Sequence, residues 1–433
     1  MNFIPNILFA ITLIIGVGFF VKNVKSLIRN INLGKAIDVS DNKKQRWKNM
    51  AMIALGQSKM VRRPIAGFLH VIVYVGFIII NIEVLEIIID GLFGTHRIFS
   101  GIGSLYGFLI ASFEILAILV IFAVVVFWIR RNIIKLKRFW NPEMTSWPKN
   151  DANYILYFEM VLMSLFLIMN ATDVQFQAMH SGNIVSQFIE PLFSGVSESA
   201  LHIIERSAWW IHIIGILIFL NYLYYSKHLH ILLAFPNTYY GSLKPKGELD
   251  NLEAVTKEVM LMMDPNADPF AAPADDAEDP EKFGASDVMD LNWVQLLNAY
   301  TCTECGRCTS SCPASLTGKK LSPRKIMMDT RDRLEEVGKN IDKNKGTFVD
   351  DGKQLLNDYI SPEELWACTT CNACVEECPV SISPLSIILD MRRYLVMEQS
   401  AAPSELNNMM TNIENNGAPW PYNQMDRLNW KDE

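Results

Sequence analysis

The chain has 433 residues, of which 50% are hydrophobic and only 20% are charged, and its net charge is −7. Soluble globular proteins have about a quarter charged residues, so this composition excludes a single soluble domain. The acidic balance argues against nucleic acid as a partner. All seven histidines precede residue 231, and all eight cysteines follow residue 301. The chain therefore divides into an apolar half that holds the histidines and a polar half that holds the cysteines.

Five apolar stretches of the first half are long enough to cross a bilayer, which takes about 20 residues of helix. They lie at residues 3–21, 65–89, 104–129, 154–171 and 207–226. The first stretch has no basic leader and no small-residue cleavage site, so we interpret it as a retained span and not as a signal peptide. The sequence predicts five membrane helices.

The loops between these stretches differ strongly in basic residues. Loops 22–63 and 130–153 carry eleven and six Lys or Arg residues, whereas loops 90–103 and 172–206 carry one each. Because cytoplasmic loops are enriched in Lys and Arg, we expect the N-terminus outside and both basic loops in the cytoplasm. Everything after residue 226 is then cytoplasmic, in the cytoplasmic membrane of a bacterium or archaeon.

Four histidines are expected within or beside the spans, where lipid makes histidine rare. His70 falls about two turns into the second span, His212 near the outer end of the fifth, and His228 and His230 at its inner end. One continuous helix from His212 to His230 would rise about 27 Å and place these residues near opposite membrane faces. Neutral imidazole is an axial ligand for haem iron, so the set favours at least one haem. The alternative is a set of interfacial histidines without a cofactor.

Three more histidines and several acids are expected towards the outer face. His96, His180 and His202 fall in outer loops, where each is a candidate outer ligand, quinone partner or plain surface residue. Glu114 lies deepest in a span, and an acid at that depth favours a role in proton transfer or quinone binding. The second span carries an outer acidic cluster of Glu83, Glu86 and Asp90. This cluster fits proton release or quinone binding, and it fits interfacial pairing with Arg97 or a tyrosine equally well.

All eight cysteines fall in two copies of the pattern C-x2-C-x2-C-x3-C-P, at residues 302–313 and 368–379. This is the spacing of a bacterial-type ferredoxin with two [4Fe–4S] clusters, in which the fourth Cys of each copy ligates the other cluster. Zinc ribbons lack this duplicated pattern, and disulfides need an oxidising compartment. We therefore expect one cluster at Cys302, Cys305, Cys308 and Cys378, and a second at Cys368, Cys371, Cys374 and Cys312.

The 55 residues between Cys312 and Cys368 exceed a minimal ferredoxin and include the helical pattern SPRKIMMDTRDRLEEVGKN. The predicted fold is therefore mainly α, with a five-helix transmembrane bundle followed by an α-helical dicluster ferredoxin domain. Gly306 is expected to relieve crowding beside the first cluster, with Asn372 at the matching position. Six basic residues form either a docking patch or, as we favour, a solvated helix face: Lys319, Lys320, Arg324, Lys325, Arg392 and Arg393.

A linker separates the two halves. Residues 264–290 hold nine acids, four prolines and one Lys without apolar periodicity, which is typical of a flexible tether or a loosely docked arm. The preceding residues 248–263 have helical spacing. We expect a membrane domain at 1–240, a helix and linker at 241–290, an iron–sulfur domain at 291–400 and a tail at 401–433.

The soluble half resembles the C subunit of heterodisulfide reductase and the iron–sulfur proteins of the glycerol-3-phosphate dehydrogenase C type. The resemblance rests on the two cysteine motifs and their wide spacing, and it covers residues 290–400. It implies two [4Fe–4S] clusters in an electron-transfer domain.

The membrane half resembles the gamma subunit of respiratory nitrate reductase and the cytochrome b subunit of heterodisulfide reductase. The segment SKHLHILLAFPNTYYG at 226–241, with His212 eighteen residues before His230, carries this resemblance. It implies two b haems with ligands from spans 2 and 5. By position, His70 and His230 would hold the inner haem, and His212 the outer one.

The chain departs from that family at Ile80, where the family has a second histidine of span 2. The outer haem is therefore absent or takes another ligand, namely His96, His180 or His202. His228 is also a competitor of His230 for the inner haem.

Together these resemblances imply a membrane-bound electron-transfer subunit between a quinone (menaquinone or ubiquinone), b haem, two [4Fe–4S] clusters and a cytoplasmic redox partner. A CCG-domain or flavoprotein chain is the implied partner, since this chain has neither a CCG pair nor a dinucleotide fingerprint. No self-contained substrate site or catalytic residue is visible, and whether the chain alone is an enzyme stays open. The alternatives are a haem-free membrane anchor for a ferredoxin and, less favoured, a redox-driven pump using Glu114 and Glu83.

Overall fold

The computed structural model describes residues 3–180, 182–245, 247–265 and 282–432. Regular structure in this part of the chain is helical, apart from two isolated β-bridges. In the first half the helices are α1 (Ile4–Ile31), α2 (Lys43–Met50), α3 (Pro64–Phe93), α4 (Ser104–Asn132), α5 (Ser146–Thr172), α6 (Val174–Ala178), α7 (Ser186–Ile189), α8 (Glu198–Tyr222) and α9 (His230–Tyr239). In the second half they are α10 (Glu253–Met263), α11 (Trp293–Thr301), α12 (Arg307–Ser311), α13 (Pro313–Leu316), α14 (Pro323–Lys343), α15 (Leu355–Asp358), α16 (Pro362–Trp366), α17 (Ala373–Glu377), α18 (Pro384–Met397) and α19 (Ser404–Asn416).

Five of these helices, α1, α3, α4, α5 and α8, are long and apolar enough to cross a membrane. They confirm the predicted five-helix bundle. The helix α5 packs between α4 and α8, while α3 packs on α4 and α1 on α8 and α3. Buried aromatic and aliphatic side chains, including Phe113 and Phe166, form a hydrophobic core inside the bundle. Leu and Ile side chains that remain exposed on α1 and α4 form the apolar surface that a lipid-facing helix requires.

The fifth span does not continue to His230, which corrects the expectation of one helix from His212. The helix α8 ends at Tyr222, and Ser226 adopts an extended conformation (φ −109°, ψ 150°) before a short 3₁₀ turn at Lys227–Leu229. The Ser226 side chain accepts a hydrogen bond from the His228 N–H and so caps this turn. A new helix, α9, starts at His230. Apolar periodicity did not reveal this break, because the residues on both sides of it are hydrophobic.

The second half is built around α14, which forms where the insert between the cysteine motifs predicted a helix. Ser322 caps α14 by accepting the Lys325 N–H, and Pro323 occupies the first turn. The buried stripe of α14 includes Ile326, Leu334 and Val337 and faces α11 and α18. This stripe holds the two cysteine motifs on one compact helical domain.

One continuous hydrophobic core joins the two halves. It includes Leu27 and Ile31 of α1 together with buried residues of α11 and α14. Beside it the Lys35 N–H donates to the Leu291 carbonyl at 2.8 Å, and the Trp293 N–H donates to the Lys35 carbonyl at 3.2 Å. The cysteine-bearing domain is therefore packed directly on the end of the bundle where α1 ends.

The predicted acidic tether lies mostly outside the described residues, since the structure leaves out residues 266–281. Its last residues, including Ala285 and Val288, are buried in the core of the second half. The helix α10 forms where helical spacing was predicted, and the tail contains α19, whose side chains are not buried.

Candidate functional site: two cysteine groups and a histidine group

The two cysteine motifs adopt the same backbone conformation. Glu304 and Gly306 in the first copy have φ +52° and +70°, and their counterparts Thr370 and Asn372 have φ +54° and +60°. Alternation of left-handed residues turns successive backbone N–H groups towards one side, which forms an anion-binding concavity of the kind used by iron–sulfur sites. A short helix, α12 or α17, follows each loop. The duplication seen in the sequence is therefore also a structural duplication.

Gly306 is required by a close approach as well as by its positive φ. A Cβ atom there would lie 2.6 Å from Nη1 of Arg324 and 3.2 Å from the carbonyl oxygen of Arg138. The expected crowding is thus present, and in this structure its source is Arg324.

The fold brings the eight cysteines into two groups. The thiol of Cys308 lies close enough for charge interaction with Cys302, Cys305 and Cys378, as well as with Cys374. The thiol of Cys374 interacts in the same way with Cys368, Cys371 and Cys312. We call these the first group (Cys302, Cys305, Cys308 and Cys378) and the second group (Cys368, Cys371, Cys374 and Cys312). In each group the fourth thiol belongs to the other motif, and the assignment of these four thiols to one cluster stays a prediction from the spacing.

A small cavity lies among the residues of the first group and is lined by its four cysteines, with Cys374 and Gly306. The second group combines two buried cysteines, Cys312 and Cys374, with the exposed Cys371. Cys371 is exposed, and it borders a surface depression shared with Asn372 and Glu376. The two groups therefore differ in their access to solvent.

The buried thiols suit cationic iron and do not suit free nucleophiles. Burial raises the pKa of Cys302 and of Cys374 to about 12, and that of Cys378 to about 11. A thiol with such a pKa is protonated at neutral pH unless a bound metal displaces its proton. All eight cysteines are free of disulfides. The donor set and its burial fit two iron–sulfur clusters.

No group of three or more His, Cys, Asp or Glu side chains in the described ranges is close enough to hold a single metal ion. This does not conflict with the cysteine groups, because each thiolate of a [4Fe–4S] site binds a different iron of the cluster. Backbone N–H groups also point at the sulfurs: Thr370 donates to Sγ of Cys368 at 3.4 Å, and Ile382 to Sγ of Cys378 at 3.3 Å. Such bonds are among the factors that tune cluster potentials.

The basic residues predicted as a solvated face or docking patch are in part structural, which corrects both interpretations. Arg324 is fully buried and forms an ion pair with Glu143 at 2.6 Å. Arg392 donates two hydrogen bonds to the Leu365 carbonyl, beside the second group. Helical periodicity placed them on a helix but did not indicate that the membrane half covers Arg324.

Three histidines lie together at the end of the bundle that faces the cysteine-bearing domain, and we call them the histidine group: His70, His228 and His230. The ring centres of His70 and His230 are 6.4 Å apart, and those of His228 and His230 are 5.4 Å apart. Nδ1 of His230 is hydrogen-bonded to the Lys227 carbonyl at 3.1 Å, which leaves Nε2 free as a ligand. Nδ1 of His70 and of His228 is buried without a hydrogen-bond partner.

The chemistry of the histidine group fits metal ligation by imidazole nitrogen. Burial lowers the pKa of His228 and of His230, so both are neutral imidazoles, the form that binds iron. His70 and His230 would be the residues that hold such an iron, and their ring centres are 6.4 Å apart.

His212 stands apart from this group. Its side chain is buried, its Nδ1 has no hydrogen-bond partner, and its ring contact is with Phe166 at 6.5 Å. His202 lies ten residues earlier on α8, about 15 Å away along the axis, with a 74% exposed side chain. The structure therefore does not bring these two histidines together.

A buried polar network lies at the other end of the bundle. Arg97 pairs with Asp173 at 2.8 Å and donates to the Asn170 side chain. Glu114 accepts hydrogen bonds from Asn170 and from the backbone N–H groups of residues 185 and 186, at 2.7–3.0 Å. Glu83 is buried too, and its Oε2 has no partner. Glu114 thus anchors the loop before α7, whereas Glu83 retains a free acceptor.

Two charged residues that the sequence did not single out connect the histidine group with the first group. Nζ of Lys227 contacts Oε2 of Glu304 at 2.5 Å, and Arg331 contacts the other carboxylate oxygen at 2.9 Å. Burial would raise the pKa of Glu304, but Lys227 and Arg331 together outweigh it and hold this pKa at about 2. The sequence features that could have indicated these two residues are the position of Lys227 directly before His228 and that of Glu304 between Cys302 and Cys305.

Comparison with known proteins supports the iron–sulfur assignment. A family model described as a 4Fe-4S dicluster domain matches residues 301–382. FadF of Bacillus subtilis, described as a probable iron-sulfur-binding oxidoreductase, is 29% identical over 99% of this chain and 61% of its own length. The EtfAB:quinone oxidoreductase of Syntrophomonas wolfei is 25% identical over 91% of the chain and 55% of its own length. The C subunit of the ferredoxin:CoB-CoM heterodisulfide reductase of Methanosarcina mazei is 33% identical over 25% of the chain and 52% of its own length.

These findings confirm the two-cluster domain and its resemblance to the C subunit of heterodisulfide reductase. The chain spans only 55–61% of the length of the two relatives that match most of it. No solved structure matches the chain. The resemblance of the membrane half to cytochrome b subunits stays a prediction.

Proposed function

We propose that this chain is a membrane-bound electron-transfer subunit that connects a membrane quinone with a cytoplasmic redox partner through b haem and two [4Fe–4S] clusters. The observation that carries the proposal is the contact between Lys227, which holds His230, and Glu304, which lies between two cysteines of the first group. A histidine group and a cysteine group are thus parts of one connected structure.

The first and second cysteine groups would hold the clusters, which supply one-electron carriers when they are bound. The chain contributes thiolates, backbone N–H groups and a water-poor setting around the first group. Since Cys371 of the second group is exposed, we infer that the partner docks over the second group. This arrangement separates a shielded inner site from an accessible outer one.

His70 and His230 would hold the haem at the cytoplasmic end. His228 is the alternative to His230 as a ligand, as the sequence analysis noted. Their ring separation and the hydrogen bond that orients His230 support this choice. His212 has no second histidine in ring contact. We therefore propose a single b haem and assign no ligand role to His202, which is exposed.

The quinone is proposed partly from the printed name of the Syntrophomonas relative, an EtfAB:quinone oxidoreductase. In the polar network, Glu83 keeps an unpartnered carboxylate oxygen, whereas both oxygens of Glu114 accept hydrogen bonds. We propose Glu83 and not Glu114 as the acceptor of a proton released by quinol oxidation. The redox partner would be a separate chain, of the flavoprotein or CCG-domain type.

For orientation we propose the arrangement expected from the basic loops, with the N-terminus outside and the iron–sulfur domain in the cytoplasm. Contacts between the second half and the basic loop 22–63 support it. Arg62 and Arg63 of this loop form ion pairs with Glu376 and Glu377. The loop richest in Lys and Arg is thus on the same side as the cluster domain.

The test is a reduced-minus-oxidised spectrum and a pyridine haemochrome count on the purified chain. We expect one b haem per chain, loss of its band in His70→Leu, and no loss in the matched control His202→Leu. Iron–sulfur bleaching without a haem band would refute the haem path and would favour the haem-free anchor. Equal loss in both variants would show that the assignment to His70 is wrong.

A further inference from the structure

Lys227 is a buried cation at the junction of the two halves. Its Nζ contacts Glu304 at 2.5 Å and the Pro148 carbonyl oxygen at 2.6 Å, with Asp151 at 3.7 Å. Only 7% of its side chain is exposed. A charge in such a place interacts strongly with its neighbours, because little water screens it.

The backbone of the same residue is engaged as well. The Lys227 carbonyl accepts a hydrogen bond from His230, and the Lys227 N–H donates to Asp151 at 3.2 Å. The turn at Lys227–Leu229 that interrupts the fifth span is held in place by these bonds. Lys227 therefore faces the histidine group with its main chain and the first cysteine group with its ammonium.

Glu304, the partner of Lys227, lies within the first cysteine loop. Its φ is +52°, a left-handed conformation that is uncommon for residues other than glycine. Its carboxylate is 3% exposed and is shared between Lys227 and Arg331. The lysine thus neutralises a carboxylate that stands between Cys302 and Cys305.

We propose that Lys227 is a positioning residue that sets the reduction potential of the first cluster through Glu304 and ties the loop of that cluster to His230. Reduction adds a negative charge to a cluster, and nearby charge is one of the factors that fix its potential. Loss of the lysine charge therefore lowers the potential, and loss of the glutamate charge raises it. The second cluster has no such contact with Lys227.

The experiment is an EPR-monitored redox titration of the purified full chain. We expect Lys227→Met to lower the potential of the first cluster so that its one-electron equilibrium constant changes at least tenfold, which corresponds to 59 mV. Glu304→Gln shifts the potential in the opposite direction, the double variant returns it towards wild type, and Lys227→Arg restores it. The surface variant Lys320→Met is the matched control, and Cys305→Ser and Cys371→Ser identify the signal of each cluster.

Two results would overturn the proposal, because a loosened interface would produce them. One is an equal shift in the reduction potentials of both clusters, and the other is a potential shift of the same sign in Lys227→Met and in Glu304→Gln. If Lys227→Met does not assemble, the other two variants still test the proposal. Glu304→Gln must raise the potential of the first cluster, and Lys227→Arg must leave that potential within the range of the control. The link to His230 rests on the proposed function. The cluster potentials do not need haem, so absence of a haem band would refute that function and leave the role of Lys227 at the cluster to be judged by the titration.

Discussion

Removal of the Arg324 guanidinium tests whether the two halves form one cooperative structure. Arg324 is 0% exposed, and it donates to Glu143 and to the Arg138 carbonyl, each at 2.6 Å, in the loop between α4 and α5. The substitution Arg324→Met keeps most of the volume and leaves Glu143, itself 9% exposed, without its cationic partner, although the hydrogen bond from Ser322 remains.

Breaking one side of a buried ion pair costs about 3–5 kcal/mol, because the other charge stays buried without its partner. At about 2 °C per kcal/mol for large domains, we expect the apparent unfolding temperature to fall by roughly 6–10 °C. The assay is loss of iron–sulfur absorbance by the detergent-purified chain, heated at one fixed scan rate, since unfolding of such proteins is often irreversible.

Lys320→Met is the matched control within the same domain. Its ion pair with Glu363 spans 3.2 Å, with the two side chains 58% and 70% exposed. Exposed pairs contribute about 0–1 kcal/mol, so this variant should stay close to wild type. If Arg324→Met unfolds at the same temperature as Lys320→Met, the buried interface does not stabilise the fold and our reasoning is wrong.

Three further predictions concern pH, the interface and the clusters. Burial alone would raise the pKa of Glu143, but Arg324 and Ser322 hold this pKa below its ordinary value of 4.5. The ionised carboxylate therefore stabilises the fold above pH 4.5, and this contribution is lost as the pH falls through the lowered pKa. The difference in unfolding temperature between wild type and Glu143→Gln should shrink below pH 4.5. Gly34→Ala should destabilise the chain by about 1–3 kcal/mol, because the added Cβ would lie 2.7 Å from the Trp293 backbone nitrogen. The control Gly18→Ala should not destabilise it, since no atom lies within 4 Å of the added Cβ. Equal unfolding temperatures of the two variants would contradict this prediction. Cys371→Ser should remove the EPR signal of one cluster and preserve the other, and loss of both signals would show that the two groups do not assemble independently.

Much of the fold followed from local patterns. The five apolar runs, the helix of the insert and the two-cluster domain follow from hydrophobic length, periodicity and cysteine spacing, so they were predictable. The break at Ser226 was not, because a capped turn inside an apolar segment has no signature in periodicity. The burial of Arg324 was equally hidden, since helical position does not indicate which surface another segment covers.

The functional residues divide in the same way. His70 and His230 were candidates from their positions near span ends, and the structure brings their rings within 6.4 Å. Glu114 attracted attention by its depth, yet its oxygens accept hydrogen bonds from Asn170 and two backbone groups. Partners of this kind come from residues 56–72 positions away in sequence, and no local pattern encodes them.

The sequence by itself determined the class of this protein, because eight cysteines in a duplicated spacing and five long apolar helices each have one dominant physical explanation. Only the tertiary structure decided how these parts meet. It seats the cluster domain on the membrane bundle through one core and places Lys227 between His230 and Glu304. The reason is that spacing along the chain specifies local ligands and helices, whereas burial and charge pairing depend on residues that become neighbours only when the chain is folded.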